Sequence, residues 1–303
     1  MKNRKSTFLV SASALLFGAA MLSDNPAQGQ AASPRPSVAN TYGDIGKTQE
    51  EKLSTTDEIM RAAATGEPSR VWAVLEHGEF VDCLSCISSV EPLLYDSHAS
   101  NREISAWWLR KRVFGVFGEG EVYQRAVDVL KSDPNPVKRA YAANALGEFL
   151  TFAGVKHCAA ALKSDPDEGV RVAAALALGR LQKDDGALAL AMTDASPKVK
   201  VAVLDAASRM NQKFTALGTG LADPDPAVRK RAAEIAETHR ASDQVATLIE
   251  LAKNDADAEV RLSAAHSLGA LHDLSARGAL EAIAQNDPSG LVRDQARIAL
   301  RRL

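Results

Sequence analysis

The sequence predicts an all-α fold, an α-solenoid of stacked helical hairpins, on three observations. One unit recurs seven times, each copy opens with residues that cap helices, and its apolar residues fall in columns at helical spacing. The stretches SDPNPVKRAYAANALG, SDPDEGVRVAAALALG, TDASPKVKVAVLDAAS, ADPDPAVRKRAAEIAE, NDADAEVRLSAAHSLG and NDPSGLVRDQARIALR align on Asp133, Asp165, Asp194, Asp223, Asp255 and Asp287. A looser copy, YDSHASNREISAWWLR, places its aspartate at Asp96. The aspartates recur at nearly regular intervals, longest from Asp96 to Asp133 and shortest from Asp165 to Asp194 and from Asp194 to Asp223. At the sixth position after each stands a base: Arg102, Arg139, Arg171, Lys200, Arg229, Arg261 and Arg293. A chain of 303 residues would otherwise suggest about two globular domains of ~150 residues. Repetition replaces them with one array in which each unit packs mainly on its neighbours.

In chain order, Lys2, Arg4 and Lys5 form a positive start, Phe8 to Leu22 is a single apolar run, and Ala27 to Ala32 is rich in small residues. This layout predicts a signal peptide over residues 1–31, cut after Gly29 or Ala31. The run falls short of the ~20 residues that span a bilayer, no cysteine for lipid attachment precedes Cys83, and no Arg-Arg pair is present ahead of it. The mature chain is therefore expected to be exported, periplasmic or secreted, with no stable membrane anchor after cleavage. It would carry 33 basic and 37 acidic side chains, net −4, which argues against a nucleic-acid partner. With 24% charged and 46% hydrophobic residues, the composition also excludes a disordered chain and a disulfide-dense mini-domain. Residues 32–50, holding Pro34, Pro36, Gly43 and Gly46, read as a flexible linker. Residues 51–94 read as an N-terminal helical cap, and residues 95–303 as the array.

Each unit is a turn followed by a helix. Two places past the aspartate stand Asn135, Asp167, Ser196, Asp225, Asp257 and Ser289, all able to cap free amides. Pro136, Pro197 and Pro226 follow, at the helical position where a missing N–H costs nothing. Val170, Val199, Val228, Val260 and Val292 precede the base. Three places after it come Ser105, Ala142, Ala174, Val203, Ala232, Ala264 and Ala296, and seven after come Leu109, Leu146, Leu178, Ala207, Ala236, Leu268 and Leu300. These columns make one apolar stripe whose alanines admit close helix contact. The intervening segments, such as Ala187 to Met192 and Val245 to Ala252, are long enough for a second, shorter helix.

The pattern D-x-x-x-x-V-R followed by A-x-x-A-L-G resembles the HEAT repeat, in the short form named after phycobilisome lyases, over about residues 95 to 303. The resemblance implies a right-handed superhelix and a ladder between adjacent units, built from Asp133, Asp165, Asp223, Asp255 and Asp287 with Arg139, Arg171, Arg229, Arg261 and Arg293. Lys200 departs from the arginine pattern, and in the unit at Asp133 the valine stands one place early, so irregularity is expected there. The resemblance also covers enzymes. Deoxyhypusine hydroxylases hold two irons through His-Glu pairs, but here His77, His98, His157, His239, His266 and His272 are followed by Gly, Ala, Cys, Arg, Ser and Asp. No Gly-rich phosphate loop, G-x-S-x-G or zinc pattern of paired histidines occurs. No catalytic residue, metal ligand set or cofactor is assigned.

Two features rise above the repeat. Cys83 and Cys86 form a lone C-x-x-C; Ile87 in place of histidine excludes haem attachment. A disulfide pinning the cap, a redox dithiol, a zinc site completed by Cys158 with His157 or His98, and packed free thiols stand as alternatives. The second is aromatic clustering, since 11 of 15 aromatics lie between Trp72 and Phe152. Trp108 shares a column with alanines and is expected inside. Trp107 shares one with Asn144, Leu176, Asp205, Glu234, His266 and Ile298, a mixed set that points away from the core, so with Arg110, Lys111 and Arg112 it is a candidate binding surface, unless the cap near Trp72 covers it. The reading is a non-enzymatic scaffold that binds one or more proteins, on the face formed by the longer helices. A redox protein using Cys83 and Cys86 is the alternative, and a chromophore lyase-like protein, by resemblance alone, the third.

Overall fold

Between the two helices of a hairpin the aspartate marks the turn, and Asn135, Asp167, Ser196, Asp225 and Asp257 cap the second helix by accepting from its first amides, while Ser289 makes no such bond. The computed structural model describes residues 55–112, 114–115 and 118–303; the expected signal peptide, the linker and the first residues of the cap lie outside the described residues. Helices α1 (Thr56–Thr65) and α2 (Pro68–His77) form the first pair. Thr55 accepts from the Glu58 amide to open α1, and Gly66 closes it in the left-handed conformation, φ 64°. Glu67 then accepts from the Ser69 and Arg70 amides, with Pro68 at the first helical position. After a loop come α3 (Ile87–Val90), a 3₁₀ turn Glu91–Tyr95, and α4 (Ala99–Arg110), which packs on α2. A short antiparallel pairing, β1 (Phe114–Gly115) with β2 (Gly118–Glu119), follows.

From there helices alternate in two layers. The first helices are α5 (Glu121–Ser132), α7 (Ala153–Ser164), α9 (Ala187–Ala191), α11 (Leu217–Leu221), α13 (Val245–Asn254) and α15 (Arg277–Asn286). The second helices are α6 (Pro136–Glu148), α8 (Glu168–Leu181), α10 (Pro197–Ser208), α12 (Pro226–Ile235), α14 (Ala258–Leu271) and α16 (Gly290–Leu300). The segments expected to be helical from Ala187 and from Val245 are α9 and α13. Repeat spacing sets first-helix length. The intervals ending at Asp165, Asp255 and Asp287 hold α7, α13 and α15, of 10 to 12 residues, while the shorter intervals ending at Asp194 and Asp223 hold α9 and α11, of 5 residues each.

The second helices stack directly on one another, and small residues decide how closely. A Cβ on Gly179 of α8 would lie 2.7 Å from the Ala206 Cα of α10, and one on Gly269 of α14 would lie 2.6 Å from the Ala299 Cα of α16. Only glycine allows those backbones to meet, which accounts for the A-L-G at these helix ends. The valine and alanine columns are buried as the spacing requires, Val170, Val199, Val228, Val260 and Val292 completely. In the irregular unit at Asp133 the early Val137 is exposed, yet α6 runs without a break.

Candidate interaction face

Charge joins the units. Arg139, Arg171, Arg229 and Arg261 each place Nε and one terminal nitrogen on the two carboxylate oxygens of the next unit's aspartate, Asp165, Asp194, Asp255 and Asp287, at 2.7 to 3.1 Å. The remaining terminal nitrogen donates to the carbonyl of the arginine's own Asp133, Asp165, Asp223 or Asp255. Each carboxylate also accepts from the backbone N–H two places further on. Burial opposes ionisation of Asp165, Asp194, Asp255 and Asp287, but the arginine and backbone donors outweigh it and hold these carboxyls below their usual range.

The ladder departs in detail from the set implied by resemblance. Lys200 fills a rung by reaching Asp223 at 2.7 Å, and Asp194 is a full member. Asp133 and Arg293 stand at the two ends: Asp133 accepts from the Asn135 amide, and Arg293 donates to the Asp287 and Pro288 carbonyls. Arg102 does not extend the ladder. It donates to the Asp96 and Ser97 carbonyls and lies 3.9 Å from the centre of the Tyr141 ring, because the long interval from Asp96 to Asp133 inserts the β1–β2 pairing between its unit and the next.

At the N-terminal end the structure corrects the expected surface. Trp107 is half-buried against the core, as is Trp72, so Trp107 is not an exposed anchor. Arg112 is structural: its guanidinium lies 3.6 Å from the centre of the Trp108 ring and donates to the carbonyls of Gly78, Glu79, Val81 and Trp108. Lys111 pairs with Glu79 and sits over the Phe80 ring, while Arg110 is partly exposed at the end of α4. Trp108 is fully buried and donates to the Gly78 carbonyl at 2.9 Å. Among the described aromatics of the cluster Phe80 is exposed at 85% and Phe152 at 66%, and Leu84 beside the cysteines is exposed at 75%. Phe80 and Leu84 lie in a loop without helical columns, so periodicity could not have found them.

Cys83 and Cys86 form a disulfide, and both are buried. Exchange requires a thiolate to reach a sulfur, and burial withholds that access, so the redox alternative gains no support. Cys158 is a free, buried thiol that burial pushes up to about 12, which leaves it protonated and inert. Among the described residues no group of three or more His, Cys, Asp or Glu is placed to hold a metal ion, and no helix is long and apolar enough to cross a membrane.

The outer surface of the second helices carries a different order. Its apolar members stand one or five places past the base, and ion pairs run beside them from helix to helix. Arg180 of α8 meets Glu148 of α6 at 2.7 Å, Arg231 of α12 meets Asp205 of α10 at 2.6 Å, and Lys230 of α12 meets Glu259 of α14 at 3.3 Å. His266 of α14 lies 3.4 Å from Glu237 and shares a hydrogen bond with Gln295 of α16 at 3.2 Å. Between these pairs stand half-buried Val172, Leu176, Val201 and Leu262, and the more exposed Ile298. Apolar patches ringed by paired charges are the composition of protein-binding surfaces.

The family described as HEAT repeats matches residues 123–192 and 214–301. No curated protein sequence matches the chain. Among solved structures, the Escherichia coli protein YibA is similar at 15% identity and a TM-score of 0.52, over 84% of this chain and 96% of that one. The archaeal HEAT-like repeats protein of Thermococcus onnurineus NA1 is similar at 13% identity and a TM-score of 0.37, over 85% of this chain and 97% of that one. The CpcE and CpcF complex of phycocyanin lyase from Nostoc sp. PCC7120 is similar at 21% identity and a TM-score of 0.38, covering 72% and 94%.

Proposed function

The chain belongs to the HEAT-repeat family, and from that premise we propose that it is an exported, non-enzymatic scaffold that binds a protein partner along its second-helix face. The observation that carries this reading is the continuity of that face across α6 to α16, where apolar side chains alternate with charges already paired between helices. Prepaired charges lose little freedom on docking, and half-buried aliphatic groups supply the area that water leaves. Export is a reading of the segment that ends at Ala31, and the Cys83–Cys86 disulfide supports it because such bonds persist in oxidising compartments. Phe80 and Leu84 offer a second apolar contact at the N-terminal end.

Crosslinking in the native envelope fraction tests the reading with two charge-insertion variants. Leu176→Glu with Val201→Glu alters the second-helix face, while Leu190→Glu alters α9 on the other layer. The first variant is expected to lose the partners that wild type crosslinks, and the second to keep them. Equal recovery by both would overturn the choice of face.

A further inference from the structure

The second-helix face is not uniform. Where α4, α6, α8 and α10 converge it sinks into a cleft of about 320 Å³, lined by Arg102, Tyr141, Asn144, Glu148, Arg180 and Arg209, with Glu103 at its edge. Three guanidinium groups face two carboxylates there, an excess of one positive charge in a chain of net −2.

The cations are not equally occupied. Arg102 is committed to two carbonyls and to the Tyr141 ring. Arg180 engages Glu148 through Nε, but its Nη1 is buried with no hydrogen-bond partner. An unmet N–H of a charged group is costly to bury, so the Arg180 head is short of an acceptor, and one can approach it through the 32% of the side chain that stays exposed. Arg209 is exposed and forms no ion pair with any described residue, although its own carbonyl is held by Gln182 at 2.7 Å. Glu148 cannot serve as the acceptor for all of them. Burial pushes its carboxyl up and Glu103 adds to the rise, against the pull of Arg180 and the weaker pull of Arg110 and Arg209.

We propose that this cleft binds a single carboxylate presented by an extended peptide of the partner, with the Arg180 and Arg209 guanidinium groups as its donors. A planar carboxylate matches guanidinium forks better than any other common peptide group. Asn144, with one acceptor and two donors, is suited to reading a peptide unit beside it. The cleft volume suits one side chain or a chain end. The inference rests on the scaffold reading and assigns a recognition element within it. The carboxylate has two sources, an acidic side chain or a C-terminus.

Fluorescence anisotropy of the full chain with three labelled Gly- and Ser-rich peptides separates them. One carries a central Glu and an amidated end, one a central Gln and a free end, and one a central Gln and an amidated end. At least one of the two carboxylate peptides is expected to bind about tenfold more tightly than the third, and which one names the source. Arg180→Gln and Arg209→Gln, each with an unchanged melting curve, should erase that preference, while Arg297→Gln on α16 should retain it. Equal binding of all three peptides, or a preference that survives Arg209→Gln, overturns the proposal. The scaffold reading fails separately, through equal partner recovery in the Leu176→Glu and Leu190→Glu comparison.

Discussion

Helices α2 and α4 are held together by an aromatic, a disulfide loop and one arginine on four carbonyls, whereas α6 to α16 are held by small residues and a ladder of charge. The N-terminal region uses singular contacts, the Trp108 ring donating to Gly78 and Arg112 donating to four carbonyls, that no described unit of the array repeats. The array uses one contact many times. A singular contact can be lost only once and takes its region with it, while a repeated one distributes the loss among neighbours.

The largest expected effect breaks that contrast at its singular end. Trp108→Ala removes a fully buried ring and its hydrogen bond and should cost about 4 kcal/mol. Hydrogen exchange should then show α2 and α4 opening while α12 to α16 stay protected. Equal loss of protection in both regions would deny that the array is stable by its own neighbour contacts. Next comes Gly179→Ala, which drives a methyl to 2.9 Å from the Ala206 Cβ and should cost about 3 kcal/mol of overpacking. Denaturant unfolding followed at α8 and α10 checks it, and a cost near zero would mean that the stack is looser than its contacts.

Asp287→Asn removes one rung's charge and should cost about 2 kcal/mol by urea unfolding. The same chemistry sets an acid limb. Asp165, Asp194, Asp255 and Asp287 titrate lower in the folded state than in the unfolded one, where the reference value is 3.8. Below that value the unfolded chain binds more protons, so their stabilisation is complete above about pH 4 and is lost as pH falls further. His239 adds an earlier limb: burial depresses it, so the folded state resists protonation and stability declines as pH falls from 6.5 towards its folded value. Thermal melts across pH should show both limbs, and His239→Gln should remove only the one nearer neutrality. The smallest effect is reduction of Cys83–Cys86, which closes a very short loop and should cost below about 2 kcal/mol. Exchange after reduction should rise in residues 78–95 and leave the ladder unchanged.

What could be read from the sequence follows the same division. Caps, proline positions and buried columns repeat, so seven copies average out local accidents, and the hairpins from Ala187 and Val245 lie where their spacing requires. The Trp108 column was legible for the same reason. Arg112 was misread as surface because its acceptors, backbone carbonyls of Gly78, Glu79 and Val81, lie far back in the chain and leave no side-chain signal. Phe80 and Leu84 escaped because a loop has no period. The pairing of Arg180 with Glu148 did leave a trace: both stand at the ninth place past their base, as does Arg209.

The rungs all run one way, the cation from the earlier unit and the carboxylate from the later one, with each arginine also bound to its own unit's carbonyl and Lys200 making one rung alone. The stack is therefore a directional polymer. A unit can be inserted or removed only whole and in one orientation, and any unit that keeps the aspartate and the base in their fixed register presents the same two ends to its neighbours. Length can change without any interface being solved again, which leaves the second-helix face free to diverge position by position while the joint beneath it stays the same.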